Sequence, residues 1–208
     1  VIGLPYPEGL QHVNGDLYMR ANSLQYHAPA RLDDWLDVGI RCDKVGNSSI
    51  TMGWGIWAQG RLLVTGEAVY VFTDLATRQP VSVPQSLRDQ IGAHAAERPV
   101  HQVRAGSWSD LGEAARAVRL AVFVGEQGIP ESEEWDDDDA GAVHVVATNL
   151  AGLPLATGRL IYLGQAPGAA KVGRMAVLRS SRGVGLGQLM LESLIGEARQ
   201  RQISTLAL

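Results

Sequence analysis

Arg182-Gly183-Val184-Gly185-Leu186-Gly187 follows the apolar run Arg174-Met175-Ala176-Val177-Leu178 and precedes Gln188-Leu189-Met190-Leu191-Glu192-Ser193-Leu194-Ile195, a stretch with helical periodicity. Three glycines in five positions let a backbone approach a ligand with no Cβ in the way. A strand, a glycine loop and a helix in that order aim free N–H groups and the positive helix end at one point, which suits a phosphate. The loop therefore reads as a pyrophosphate cradle, although an ordinary strand-to-helix turn has the same local signature.

Spacing narrows the ligand. A dinucleotide loop needs G-x-G-x-x-G, and the third residue after Gly185 is Gln188. A nucleotide P-loop ends in Gly-Lys-Ser/Thr, whereas this one ends Gly187-Gln188-Leu189. What fits is R-x-x-G-x-G, carried by Arg182, Gly185 and Gly187.

Composition sets the outer bounds. The chain has 208 residues, 46% hydrophobic and 19% charged, an ordinary globular balance long enough for one or two cores. A net charge of −4 argues against nucleic acid as a partner. The single cysteine, Cys42, cannot form an internal disulfide, so the expected compartment is the cytoplasm. No apolar run approaches the ~18 residues of a membrane span. One cysteine and five scattered histidines have no metal-ligand spacing, so no metal is expected. The first residue is Val1 rather than Met, and residues are expected upstream.

Texture changes near Ala95-Ala96-Glu97-Arg98-Pro99, which divides the chain into 1–95, a linker 96–99 and 100–208. Before it, β-rich runs span Leu17–Tyr26, Trp35–Val45, Ser48–Ala58 and Leu62–Thr73, with Leu36, Val38, Ile40 and Cys42 on one face. Turn signals at Ala28-Pro29-Ala30, Val45-Gly46-Asn47-Ser48 and Gln59-Gly60 separate them, predicting an antiparallel meander and then a short helix opened by Pro84-Gln85-Ser86-Leu87 and running to about His94. After it, strands are predicted at Val100–Ala105, Ala142–Thr148, Leu155–Leu163, Lys171–Leu178 and Ile203–Leu208. Helices are predicted from Ser109 or Asp110 as N-cap through Val122, and from the glycine loop to about Arg201. The order is that of an α/β fold with mixed pairing.

Residues 100–208 resemble a GNAT N-acetyltransferase domain. The resemblance rests on Val118-Arg119-x-x-Val122-Phe123-Val124-x-Glu126-Gln127-Gly128-x-Pro130, Glu134-x-Asp136-x-x-Asp139-x-x-Ala142-x-His144, Ala156-Thr157-Gly158-Arg159-Leu160, Gly173-Arg174-Met175-Ala176-Val177-Leu178 and the R-x-x-G-x-G loop, in that order. It implies that acetyl-CoA is the donor, held by the backbone of Met175, Ala176 and Val177 and by Arg182, Gly183, Val184, Gly185, Leu186, Gly187 and Gln188. A backbone N–H on a bulged fourth strand would polarise the thioester carbonyl. The acceptor would be a small-molecule amine, which must be neutral to attack, so a base or a water chain must take its proton. Glu126 and His144 are the candidate catalytic residues; each also reads as an ordinary hydrogen-bonded residue. The tyrosine acid of that family lies on a later helix, past Leu208.

The run Glu131 to Asp139 holds seven carboxylates in nine positions. It reads as a solvated loop or as an attractor for a cationic amine such as a polyamine.

Residues 1–92 resemble a hotdog thioesterase of the 4-hydroxybenzoyl-CoA type. The carrying segments are Tyr26 to Val38, Gly46-Asn47-Ser48-Ser49, Thr65-Gly66-Glu67 and Asp74 to Val81. The family's first strand and central helix are missing; the helix end is expected around Val1-Ile2-Gly3-Leu4, and His12-Val13-Asn14 reads as a loop. No thioesterase nucleophile or base can be placed. Without that helix the sheet should expose an apolar face, which an upstream segment or a partner must cover, and the resemblance implies a homodimer. The expected fold is a partial hotdog followed by a GNAT mixed α/β domain. The expected function is acetyl-CoA-dependent N-acyltransfer, with acyl-CoA hydrolysis or non-catalytic acyl-CoA binding as alternatives.

Overall fold

A computed structural model describes residues 4–164 and 168–208, in two compact units divided at Pro99 and Val100. In the first unit a short helix, α1 (Glu8–His12), precedes strands β1 (Gly15–Tyr26), β2 (Asp37–Val45), β3 (Ser49–Ala58) and β4 (Arg61–Asp74) and helix α2 (Gln85–Ala95). The strands form one antiparallel sheet in the order β1-β4-β3-β2. Only β2, β3 and β4 form the expected meander; β1 returns to pair along the free edge of β4, with Leu17 opposite Phe72.

The β3–β4 hairpin turns at Gln59 and Gly60, with φ of 48° and 77°. Two successive left-handed residues make the tight turn whose twist matches the flanking strands. Alternation along β3 sends Ile50 and Met52 to one face, where they pack with Leu10, Phe72, Val83 and Leu87.

Two further expectations change here. Trp35 and Leu36 precede β2 instead of opening it, because Arg31–Asp34 folds into a turn in which Arg31 N–H donates to Asp34 Oδ2 at 2.6 Å. Trp35 is 92% exposed. His12 is the last residue of α1 rather than part of a loop. Of the helix end expected around Val1-Ile2-Gly3-Leu4, the first three residues lie outside the described residues, and Leu4 is not helical. The expected apolar face is present: Val38 and Ile40 on β2 are 69% and 67% exposed.

The second unit contains β5 (His101–Gly106), α3 (Trp108–Arg119), a π-helical turn (Leu120–Glu126), α4 (Glu131–Glu134), α5 (Asp138–Gly141), β6 (Val143–Asn149), β7 (Pro154–Tyr162), β8 (Ala169–Val177), α6 (Leu186–Gln200) and β9 (Thr205–Ala207). Its sheet runs β5-β6-β7-β8-β9, antiparallel except for the parallel pair β8–β9.

Strand β6 is apolar on both faces because both are covered. Val143, Val145 and Ala147 join the cluster containing Leu186, Met190, Leu194 and Ala198 of α6. Val146 packs with Leu111 and Ala115 of α3. Those helix residues recur every three or four positions, the spacing of a single face. The N-cap of α3 is Ser107, before the predicted Ser109 or Asp110; its hydroxyl donates to Asp110 Oδ2 at 2.6 Å, which anchors the first turn.

One glycine couples core and strand geometry. A Cβ on Gly158 of β7 would come 2.9 Å from Leu194 Cδ1 and 3.3 Å from Met175 Cγ. Gly158→Ala is expected to destabilise the second unit by about 1–3 kcal/mol through overpacking, measurable as faster amide exchange in α6.

Candidate functional site

After β8 the chain makes a short 3₁₀ turn, Arg179–Ser181, and enters the glycine loop. Gly183 and Gly185 adopt φ of 82° and 84°, the left-handed region in which a side chain is strained. Gly185 is the N-cap of α6, so Leu186, Gly187 and Gln188 form its first turn. The first intrahelical bond here is Leu189 N–H to Gly185 O, at 3.0 Å. Helix geometry leaves the N–H groups of that first turn available to an anion.

These groups face a cleft of about 440 Å³. One wall carries Val122 and Gln127, from the π-turn and the residue after it. The other carries Met175, Ala176 and Val177 of β8 with Arg182, Gly183, Gly185, Leu186 and Gly187. Most of the predicted donor residues are therefore brought together. Val184 and Gln188 are not among the lining residues; Gln188 Nε2 donates instead to Glu192 Oε1 at 2.8 Å. Nothing lies within 4 Å of a Cβ built on Gly183 or Gly185. The cradle has room for a ligand that a side chain there would obstruct.

Strand β8 is bulged at the cleft. Its register with β7 passes from Thr157↔Ala176 to Arg159↔Gly173, so β8 carries one residue more than the facing strand. Arg174 lies in this step with φ of 49°. Beyond Lys171 the outer edge of β8 has no strand partner among the described residues. That edge presents backbone groups with which an extended ligand can pair as a strand would.

The two predicted catalytic residues sit in different settings. Glu126 ends the π-turn and makes a bidentate ion pair with Arg182, both oxygens at 2.7 Å from guanidinium nitrogens. Hydrogen bonding from Arg182 holds its carboxyl below the usual range. His144 is 1% exposed, its Nε2 lies 2.9 Å from Asp139 O, and its ring centroid is 4.8 Å from that of Trp108. Burial pushes its pKa down, favouring neutral imidazole.

The acidic run is neither wholly solvated nor wholly offered to a ligand. Glu131, Glu133, Asp137 and Asp138 are exposed, but Glu134 and Asp139 are buried. Buried Arg119 donates from Nε to Glu134 Oε1 at 2.6 Å and from Nη1 to Asp139 Oδ1 at 2.7 Å. Arg159 donates to both Asp136 and Asp139 at 2.6 Å. Arg174 reaches Glu134 Oε1 and Asp136 Oδ2 at 3.3 Å. Trp135 covers the Arg116 and Arg119 guanidinium groups, with ring centroids 4.2 and 4.8 Å away. Three carboxylates thus meet three arginines from α3, β7 and β8. Among the described residues no group of three His, Cys, Asp or Glu is gathered to hold a metal, and no helix is long and apolar enough to cross a membrane.

Comparison with known proteins adds the following. The acetyltransferase (GNAT) family model matches residues 112–208, and the thioesterase superfamily model matches residues 10–65. A curated protein of Bacillus subtilis (strain 168), provisionally named an acetyltransferase, is 33% identical over 94 residues, covering 44% of this chain. The matched region spans 61% of that relative's length. A crystal structure from Lactobacillus plantarum, provisionally named an N-acetyltransferase, is 30% identical, covers 50% of this chain and 71% of its own, and has a TM-score of 0.46. A Thermus thermophilus thioesterase, solved with coenzyme A and Zn, is 26% identical, covers 44% of this chain and 64% of its own, and has a TM-score of 0.37.

Proposed function

We propose that this chain, a thioesterase-superfamily segment followed by a GNAT-family acetyltransferase domain, transfers an acetyl group from acetyl-CoA to a primary amine in the cleft beside β8. The observation that carries this reading is the pair of left-handed glycines, Gly183 and Gly185, opening the N-terminus of α6 into a cleft flanked by a bulged strand.

The residues divide the work by chemistry. Backbone N–H groups from Gly183 to Gln188 hold the pyrophosphate, where oriented dipoles act without a side chain's mobility. The free edge of β8 at Met175–Val177 pairs with the extended pantetheine arm. A backbone N–H at the bulge donates to the thioester carbonyl oxygen as negative charge develops there. The donor supplies an activated acyl group. The neutral amine nitrogen attacks the carbonyl carbon and a C–N bond forms; the nitrogen gives up one proton to a base or a water chain, the C–S bond breaks, and the thiolate takes up a proton. The bound pair being held in one cleft supplies much of the rate.

A second copy of the chain is the proposed protein partner. The exposed apolar stripe at Val38 and Ile40 on the β2 edge supports that reading.

The test is thiol release from acetyl-CoA with and without amines. Release only when a polyamine or aminoglycoside is present is the expected result. Release at the same rate without amine would assign hydrolysis instead and overturn the proposal.

A further inference from the structure

Glu126 and Arg182 lie 56 positions apart in sequence and meet across the mouth of the cleft. Glu126 is the last residue of the π-turn that supplies Val122 to one wall; Gln127, the next residue, lines that wall too. Arg182 opens the loop that forms the other wall. The guanidinium spends Nη1 and Nη2 on the two Glu126 oxygens, at 2.7 Å each, and Nε on Val177 O at 3.1 Å. One side chain therefore ties the loop to the end of β8 and to the opposite wall. A planar fork matched to a carboxylate is a geometric constraint as well as an attraction.

This disposition is wrong for a general base. A base needs a free lone pair and a pKa near the working pH, but this carboxylate has a cation on both oxygens. It is right for a cross-tie. We propose that Glu126 is a positioning residue: through Arg182 it latches the glycine loop to the facing wall and sets the width of the donor cleft. The inference rests on the acetyl-CoA reading of that cleft, and it removes Glu126 as the acceptor of the amine's proton.

The experiment uses the full chain, with Glu126→Gln and Glu126→Asp, CoA titration by calorimetry and steady-state acetyl transfer. The pair is part exposed, with side chains 43% and 32% accessible, so its loss acts modestly. Glu126→Gln is expected to weaken CoA binding roughly fivefold, with kcat at saturating donor within about twofold of wild type. The pH dependence of kcat should not move, and Glu126→Asp should recover part of the donor affinity. A fall in kcat of about 100-fold with unchanged CoA affinity would identify a base and overturn the latch. Unchanged or tighter CoA binding in Glu126→Gln overturns it as well, since removal of a carboxylate from an anion site should help binding unless that carboxylate organises the site. If wild type neither binds CoA nor transfers acetyl groups, the reading of the cleft fails. The latch is then decided by amide exchange of residues 182–187, which should be several-fold faster in Glu126→Gln; equal rates would sink it.

Discussion

Gly185→Val is expected to abolish acetyl-CoA binding while leaving the chain folded. Nothing beyond its immediate chain neighbours lies within 4 Å of a Cβ at this position, so the added side chain starts into open space. Gly185 lines the cleft in which the pyrophosphate is proposed to sit, so the added bulk takes up space there. Losing two charge-assisted hydrogen bonds from loop N–H groups, at about 1.5–3 kcal/mol each, lowers affinity by more than about 100-fold. The left-handed φ of 84° adds a cost of about 1–2 kcal/mol for a β-branched residue, small beside the stability of a folded domain. Gly185→Ala separates the two effects, because it carries most of the backbone strain with far less bulk. Calorimetric titration should show partial binding for alanine and none for valine, with amide exchange in β6 and α6 of both variants near wild type. Normal affinity in Gly185→Val would remove the loop from the donor site.

The glycine loop was legible because everything it needs is local. Two left-handed positions, a helix start and an apolar strand all fall within fifteen residues or so of one another. The Gln59-Gly60 hairpin was legible for the same reason, since a two-residue turn is specified by the residues in it. Trp35 misled: an aromatic beside alternating residues suggests a strand, but the Asp34 carboxylate closes a turn on Arg31 N–H and delays β2 to Asp37. The left-handed backbone of Arg174 had no local signal at all, because the bulge is imposed by pairing with β7. Glu126 was visible as a carboxylate after the first helix, yet its partner lies 56 positions away. The acidic run was harder still. Dense carboxylates suggest solvent, and only the fold reveals that Arg119, Arg159 and Arg174 converge on three of them. A weak hint was present, because arginines in otherwise apolar strands such as Ala156–Leu160 require buried partners.

Arg119→Met should be the most destabilising single change in the second unit, costing about 3–5 kcal/mol. Arg119 and Glu134 side chains are each 1% exposed and Asp139 is 6% exposed, so water cannot replace the lost cation. Methionine fills similar volume, which isolates the electrostatic loss from a cavity. Arg119→Lys should recover only part, because a single ammonium cannot donate to Glu134 Oε1, Asp139 Oδ1 and Glu134 O in the directions that Nε, Nη1 and Nη2 take. Removing a buried charge that has lost its nearer cation and keeps only Arg174 should help: Glu134→Gln on the Arg119→Met background is expected to restore part of the stability relative to Arg119→Met alone, and a double-mutant cycle measures that coupling. Because the chain has two units, the readout is segment-resolved amide exchange in urea, followed in β6 and α6, rather than one melting curve. A loss below about 1 kcal/mol would show the network to be peripheral. Acid offers an independent check on the same cluster. Asp136 is held below its usual value of 3.8, first by hydrogen bonds from Arg159. A carboxylate with a lowered folded pKa stabilises above its unfolded value and loses that contribution as pH falls through the folded one, so the share owed to Asp136 should be lost only below about pH 4, after the loss that begins below the usual histidine value of 6.5 because burial keeps His144 neutral. Arg174 links this cluster to the chemistry. It reaches Glu134 and Asp136 from the bulge one residue before Met175, so a network loosened by Arg119→Met should also lower kcat at saturating donor, where the bulge N–H is proposed to act, more than it weakens the CoA binding proposed for the glycine loop.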